Sequence, residues 1–200
     1  LRIGPAYRTR EFPTKLDFSK DFGFSGSVEL CNGQGACRKT IGGTMCPSYM
    51  VTRDEEHSTR GRANALRAVL SGTLPMKEFT GTRLHEALDL CLECKACKAE
   101  CPSNVDMAKL KYEFLAHYNQ ANGVSLRSRV FASIGVMNRI GCKLTPVSNW
   151  LMDSKVGRLM LNHLGIHRLR KLPKFANPTF STWFKGRPSN LIGGAKGSVV

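Results

Sequence analysis

The chain has 200 residues, 42% of them hydrophobic, with thirty Lys+Arg against fifteen Asp+Glu, a net charge of +15, and eight cysteines. That length gives one ordinary domain or two small ones, and no apolar run reaches the length of a membrane-spanning helix. The cysteines are bunched and no signal peptide opens the chain, which points to metal ligands in a reducing, cytoplasmic compartment rather than to a secreted disulfide framework.

In chain order, residues 1–30 carry Gly, Pro and aromatics without a helical period and predict an extended lead-in. Residues 31–48 predict a glycine-rich loop holding Cys31, Cys37 and Cys46 and ending in Cys46-Pro47. Ser58-Thr59 opens a predicted helix whose Ala63, Leu66, Val69 and Leu70 share a face, with Gly72 as its stop. A second helix is predicted over Leu84 to Leu90, running directly into Cys91. A third is predicted from about Asp106 to Asn119, with Met107, Leu110, Phe114 and Leu115 as its stripe. After Gly123 two apolar stripes follow on a basic helical tail. The first is Leu126, Val130, Ile134, Met137 and Ile140. The second is Val147, Trp150, Leu151, Val156, Leu159, Met160 and Leu164. From Pro173 onward Pro, Gly and Lys predict a linker. The start at Leu1 and the stop at Ser198-Val199-Val200 predict a segment of a longer protein.

The sharpest signal is Cys91-x2-Cys94-x2-Cys97-x3-Cys101-Pro102, the ligand run of bacterial ferredoxins. A cubane cluster offers iron corners a few Å apart. A chain wound around it presents a thiolate every third residue to three of those corners, and the fourth cysteine serves a neighbouring cluster. Zinc favours two C-x2-C knuckles separated by a longer loop. The partner motif is Cys31-x5-Cys37-x8-Cys46-Pro47, in which Gln34 stands at the second cysteine position. Crossed ligation gives a complete 4Fe–4S set of Cys91, Cys94, Cys97 and Cys46. It leaves Cys31, Cys37 and Cys101 one thiolate short. That second set holds a 3Fe–4S cluster, a 4Fe–4S cluster with a non-cysteine ligand, or nothing. A rival scheme uses Cys91, Cys94, Cys97 and Cys101 alone. With strand signals sparse, the expected class is all-α: a helical ferredoxin-like domain with cluster-binding loops, followed by a basic helical extension. Backbone N–H groups of the stretch 33–43 and of helix N-termini, with Arg38, Lys39, Lys95 and Lys98, favour the reduced, more negative state.

Three stretches, CNGQGACRK, GTMCPSYMVTRDEEHSTRGRANALR and LDLCLECKACKAECPSNVDMAKLKYEFL, resemble the iron–sulfur segment of large FAD-linked oxidases. These are similar to D-2-hydroxyacid dehydrogenases acting on D-lactate or D-2-hydroxyglutarate, and more distantly to the glycolate oxidase iron–sulfur subunit. The resemblance implies a flavin domain upstream, and downstream a CCG-type cysteine-rich domain or a quinone-linked acceptor. It implies a relay of single electrons from reduced flavin, with FAD on the adjoining domain and no catalytic site in this chain. The corresponding organisation is a lead-in over 1–30, a two-motif cluster domain over 31–122, a basic extension over 123–172 and a linker over 173–200. The alternatives are a stand-alone subunit of a glycolate oxidase or heterodisulfide-reductase-like complex, and a zinc-stabilised basic binding protein.

Other features carry plainer readings. Cys142 reads as a buried small hydrophobe and His57 as a surface histidine at a helix entry. Arg60 and Arg62 read as partners of Asp54, Glu55 or Glu56, or as contacts for another domain. His163 and His167, four apart, lack a third ligand. Asp89, Glu93 and Glu100 read as a solvated face. The basic stripe over 126–164 reads as core or docking surface, with membrane contact at most peripheral. The charge accompanies no interleaved aromatics, so nucleic acid is not the expected partner.

Overall fold

A computed structural model describes residues 7–167 and 169–187, which fall into two compact units, Leu1–Gly123 and Val124–Val200. All regular structure among the described residues is helical. The first unit contains α1 (Phe24–Glu29), α2 (Pro47–Thr52), α3 (Thr59–Leu70), α4 (Thr82–Asp89), α5 (Ala96–Glu100) and α6 (Met107–Asn122), joined by loops and short 3-10 turns.

The two long helices begin where the local chemistry directs. The Ser58 side chain accepts a hydrogen bond from the Gly61 N–H, and Asp106 accepts from Lys109 N–H. Each caps donors that the first helical turn leaves unpaired. α3 buries Thr59, Arg62, Ala63, Leu66, Val69 and Leu70, a single stripe at helical spacing. α6 buries Met107, Leu110 and Phe114 together with Lys111 and Glu113. Between them lies an aromatic cluster. Phe12 packs tilted against Phe24 and Phe79, with ring centroids 5.1 and 4.7 Å apart, and Phe79 meets Phe114 edge-on at 5.9 Å. Such offset and edge-on pairs add to the free energy of burial itself.

The stretch before Cys31 departs from the predicted extended lead-in. It contains α1 and buries Phe18, Phe24 and Val28 in the same core. A helix of six residues is too short to register a period in sequence, and its aromatics dock by shape. The buried Glu113 carboxylate secures this stretch, accepting from the Lys15 and Leu16 N–H groups at 2.8 and 2.9 Å. His117 Nε2 lies 2.9 Å from the same carboxylate.

The second unit contains α7 (Leu126–Ala132), α8 (Ile134–Lys143), α9 (Thr145–Asp153), α10 (Lys155–His163) and α11 (Phe180–Gly186). The two predicted stripes are thus spread over four short helices, broken at Ser133, Leu144 and Ser154. Most of the stripe residues, including Leu126, Met137, Ile140, Trp150 and Leu159, are exposed. Asn149 clamps Phe175 through two backbone hydrogen bonds, at 2.9 and 3.0 Å. The predicted linker from Pro173 carries α11, capped by Thr179 accepting from the Thr182 N–H. The terminal Ser198-Val199-Val200 lies outside the described residues. Among the described residues no helix is long and apolar enough to cross a membrane.

Candidate iron–sulfur centre

Seven cysteines of the first unit line two neighbouring cavities. Cys46, Cys91, Cys94 and Cys97 line the first, with Arg62 and Met107. Cys31, Cys37 and Cys101 line the second, with Gln34 and Arg60. Thr59, at the start of α3, belongs to the walls of both. Each cavity therefore draws cysteines from both ends of the domain sequence. Cys142 lies in the second unit and is half-buried rather than fully buried. Among the described residues no three His, Cys, Asp or Glu side chains converge closely enough to hold one metal ion.

The loops that carry the thiols wind in a shared manner. Gly33 and Gly35 after Cys31, and Glu93 and Lys95 after Cys91, all have left-handed backbone with φ between 56° and 81°. Glycine adopts that conformation freely, whereas Glu and Lys are strained in it. Left-handed residues are the element from which backbone concavities that bind anions, including iron–sulfur groups, are built. Cys46 is itself left-handed, at φ 50°, immediately before Pro47 opens α2.

Long basic side chains hold each loop to its helix. Arg67 of α3 donates to the Cys31 carbonyl at 2.8 Å and pairs with Glu29 at 2.9 Å. Lys111 of α6 donates to the Cys91 carbonyl at 2.9 Å and pairs with Glu93 at 3.1 Å. The glycine-rich stretch is held to the second motif by Glu100, whose carboxylate accepts from the Thr44 N–H at 2.7 Å, from the Thr44 hydroxyl and from the Met45 N–H. These bonds hold its carboxyl below the usual carboxylate range.

Burial pushes the Cys37 and Cys97 thiols up. Helix N-termini oppose the shift: the Arg60 N–H of α3 donates to Cys37 Sγ at 3.3 Å, and the Met107 N–H of α6 faces Cys97. A thiolate in either place needs nearby positive charge. Iron supplies that charge, and the donor set of clustered thiols, helix N-terminal N–H groups and basic side chains fits an anionic iron–sulfur group.

The two arginines expected to pair with the acidic turn behave differently. Arg60 pairs with Glu55 at 2.6 Å, and Arg38 joins the same carboxylate at 3.0 Å. The two guanidiniums hold Glu55 low, the Arg60 hydrogen bond first among the causes. Arg62 instead is buried against the first cavity. It donates to the Ala87 carbonyl at 2.9 Å and the Ser48 hydroxyl at 3.1 Å, and reaches Cys46 Sγ at 3.7 Å. Its position on the apolar stripe of α3, beside Ala63 and Leu66, is the one sequence signal of burial, and its charge masks that signal.

Residues 27–105 match the 4Fe-4S dicluster domain family model. The chain is 24% identical over 200 residues to the D-2-hydroxyglutarate dehydrogenase of Pantoea ananatis, covering 82% of this chain and 19% of that protein. It is 27% identical over 173 residues to the Pseudomonas putida enzyme of the same name, covering 70% and 17%. Over 121 residues it is 36% identical to the probable glycolate oxidase iron-sulfur subunit of Bacillus subtilis, covering 60% and 24%. The chain thus spans about a fifth of the length of these curated relatives. No solved structure gives a significant match. Residues 27–105 thus carry a 4Fe–4S dicluster domain, which supports an electron-transfer role, and the chain is similar to D-2-hydroxyglutarate dehydrogenases and to a glycolate oxidase iron–sulfur subunit.

Proposed function

We propose that this chain is the electron relay of an FAD-linked 2-hydroxyacid dehydrogenase. Cys46, Cys91, Cys94 and Cys97 hold one 4Fe–4S cluster, and Cys31, Cys37 and Cys101 hold a second. The supporting observation is the division of the seven cysteines between two cavities that share Thr59. A protein that used Cys91, Cys94, Cys97 and Cys101 for one cluster would gather those four around one cavity, whereas Cys101 lines the other. When bound, the clusters accept and release single electrons. The chain's own contribution is to hold the thiolates and to aim N–H groups at them.

In this reading a flavin reduced by the hydroxyacid lies on a domain upstream of residues 1–30. The onward acceptor, a CCG-type cysteine-rich domain or a quinone-linked partner, follows the basic extension over 123–172 and the segment 173–200. Anaerobically purified protein is expected to contain iron and acid-labile sulfide for two clusters, with visible absorption that dithionite bleaches. Stoichiometric zinc in a colourless protein would end the proposal. The second reading is a stand-alone iron–sulfur subunit serving a separate flavoprotein, favoured by the 36% identity to the glycolate oxidase subunit. A flavin domain in the same polypeptide decides for the first, and its absence for the second.

A further inference from the structure

The two cysteine loops are built alike, and their difference falls at one corner. Left-handed residues stand two and four positions after the first cysteine of each, Gly33 and Gly35 after Cys31, Glu93 and Lys95 after Cys91. In each loop a short helix then starts one residue before the third-corner cysteine, at Ala36 and at Ala96. Both of those cysteines, Cys37 and Cys97, are buried. Between the two left-handed residues lies Cys94 in one loop and Gln34 in the other, and each lines its own cavity.

The second cavity offers no substitute anion for the missing thiolate. Besides its three cysteines, its polar lining is Asn32, Gln34, Thr59, Arg60 and Ser103, with no carboxylate and no imidazole. A neutral carboxamide is a hard donor, poorly matched to sulfide-bound iron. Gln34 is exposed whereas Cys31 and Cys37 are buried, so the corner without a thiolate is also the one open to solvent.

We infer that Gln34 marks an exchangeable iron: Cys31, Cys37 and Cys101 retain three irons, and a fourth, beside the Gln34 amide, enters and leaves. This rests on the two-cluster reading above. The exchange balances when the oxidised three-iron, four-sulfide core takes up one ferrous ion and one electron to become the four-iron core. In the reverse direction a one-electron oxidant removes the electron and the ferrous ion is released. The core's four sulfides and the three cysteine–iron bonds are unchanged in either direction.

The test uses anaerobic holo-protein treated with ferricyanide, then with ferrous ammonium sulfate and dithionite, with iron counted and EPR recorded at each stage. The wild type is expected to lose one iron per chain on oxidation, show the signal of an oxidised three-iron cluster, and regain both the iron and the original spectrum. Gln34→Cys is expected to retain all its iron, because it restores the fourth thiolate. Gln34→Ala should behave as the wild type does, and Cys94→Gln should make an iron of the first cluster exchangeable as well. Wild-type protein that keeps every iron of two clusters through oxidation overturns the inference and leaves the two-cluster reading intact. Loss of iron from Gln34→Cys equal to wild type also overturns it. Iron for one cluster only, unaffected by Cys37→Ser, overturns both.

Discussion

The Arg62 guanidinium lies 3.7 Å from Cys46 Sγ and is only 1% exposed, and among the described residues no carboxylate pairs with it. A buried cation without a counter-ion is costly. Its neighbours are neutral groups, the Ala87 carbonyl and the Ser48 hydroxyl, and a cysteine that becomes negative when it ligates iron. At an effective dielectric of 20, two unit charges 4 Å apart interact by ~4 kcal/mol. Arg62→Gln is therefore expected to lower the midpoint potential of the first cluster by at least ~59 mV, the one-electron equivalent of a tenfold change. Arg62→Lys should recover most of that. Potentiometric titration followed by EPR measures it, and an unchanged potential in Arg62→Gln counts against the pairing. In protein stripped of iron the order reverses, because Arg62→Met removes a charge that nothing then neutralises. Limited proteolysis of stripped wild type and stripped Arg62→Met should show the variant the more resistant.

The Glu113 carboxylate is a fully buried hub for the Lys15 and Leu16 N–H groups and His117. Glu113→Ala strands two amide donors in the core, each costing ~1–3 kcal/mol. The expected loss is about 3 kcal/mol or more, read as a lower urea midpoint. Amide exchange at Lys15 and Leu16 should accelerate more than at α3.

Glu55 and Glu100 both have carboxyl groups held below their ordinary value of 4.5. The folded state thus favours their ionised forms. The stabilisation is present above 4.5 and is lost as pH falls through the lower folded values. Denaturant midpoints should therefore drop on acidification below 4.5. Glu55→Gln and Glu100→Gln should each flatten that drop while lowering the midpoint at neutral pH. An acid limb of unchanged slope in both variants would remove these two carboxylates from the account.

Cys94→Ser is expected to abolish most of the visible absorption of the first cluster, and Cys142→Ser to leave the spectrum as it was. Removal of iron with a chelator should expose the segments 31–48 and 91–104 to protease before α3 and α6, since metal binding supplies part of the folding free energy. Equal cleavage in loaded and stripped protein would argue against that coupling.

The sequence made some features of this domain legible and hid others, for definable reasons. Helix α3 could be read because Ser58, the 63-66-69-70 stripe and Gly72 all act within about fifteen residues. α6 could be read because Asp106 and a long apolar stripe agree. The all-α class follows from those helices and from the lack of alternating strands. Helix α1 could not be read, being shorter than two turns, and neither could α11, set among Pro, Gly and Lys. Cys91, Cys94 and Cys97 were legible as a set because a ligand run imposes its own local winding, whereas Cys46, forty-five positions upstream of Cys91, lines the same cavity only through the tertiary fold. The burial of Arg62 and Glu113 was not legible. A charged residue on an apolar stripe looks like an interruption until its partners, far away in the chain, come into view.

Thr59 forms part of both cavity walls, so the two sites adjoin at the start of α3. Two anionic clusters held there, as proposed, would repel, and reducing one would make reducing the other harder. The pair would then titrate anticooperatively, with two separated waves even if their intrinsic affinities for an electron were equal. Such a domain would seldom carry two electrons together, and would meter a two-electron donor's output as a queue.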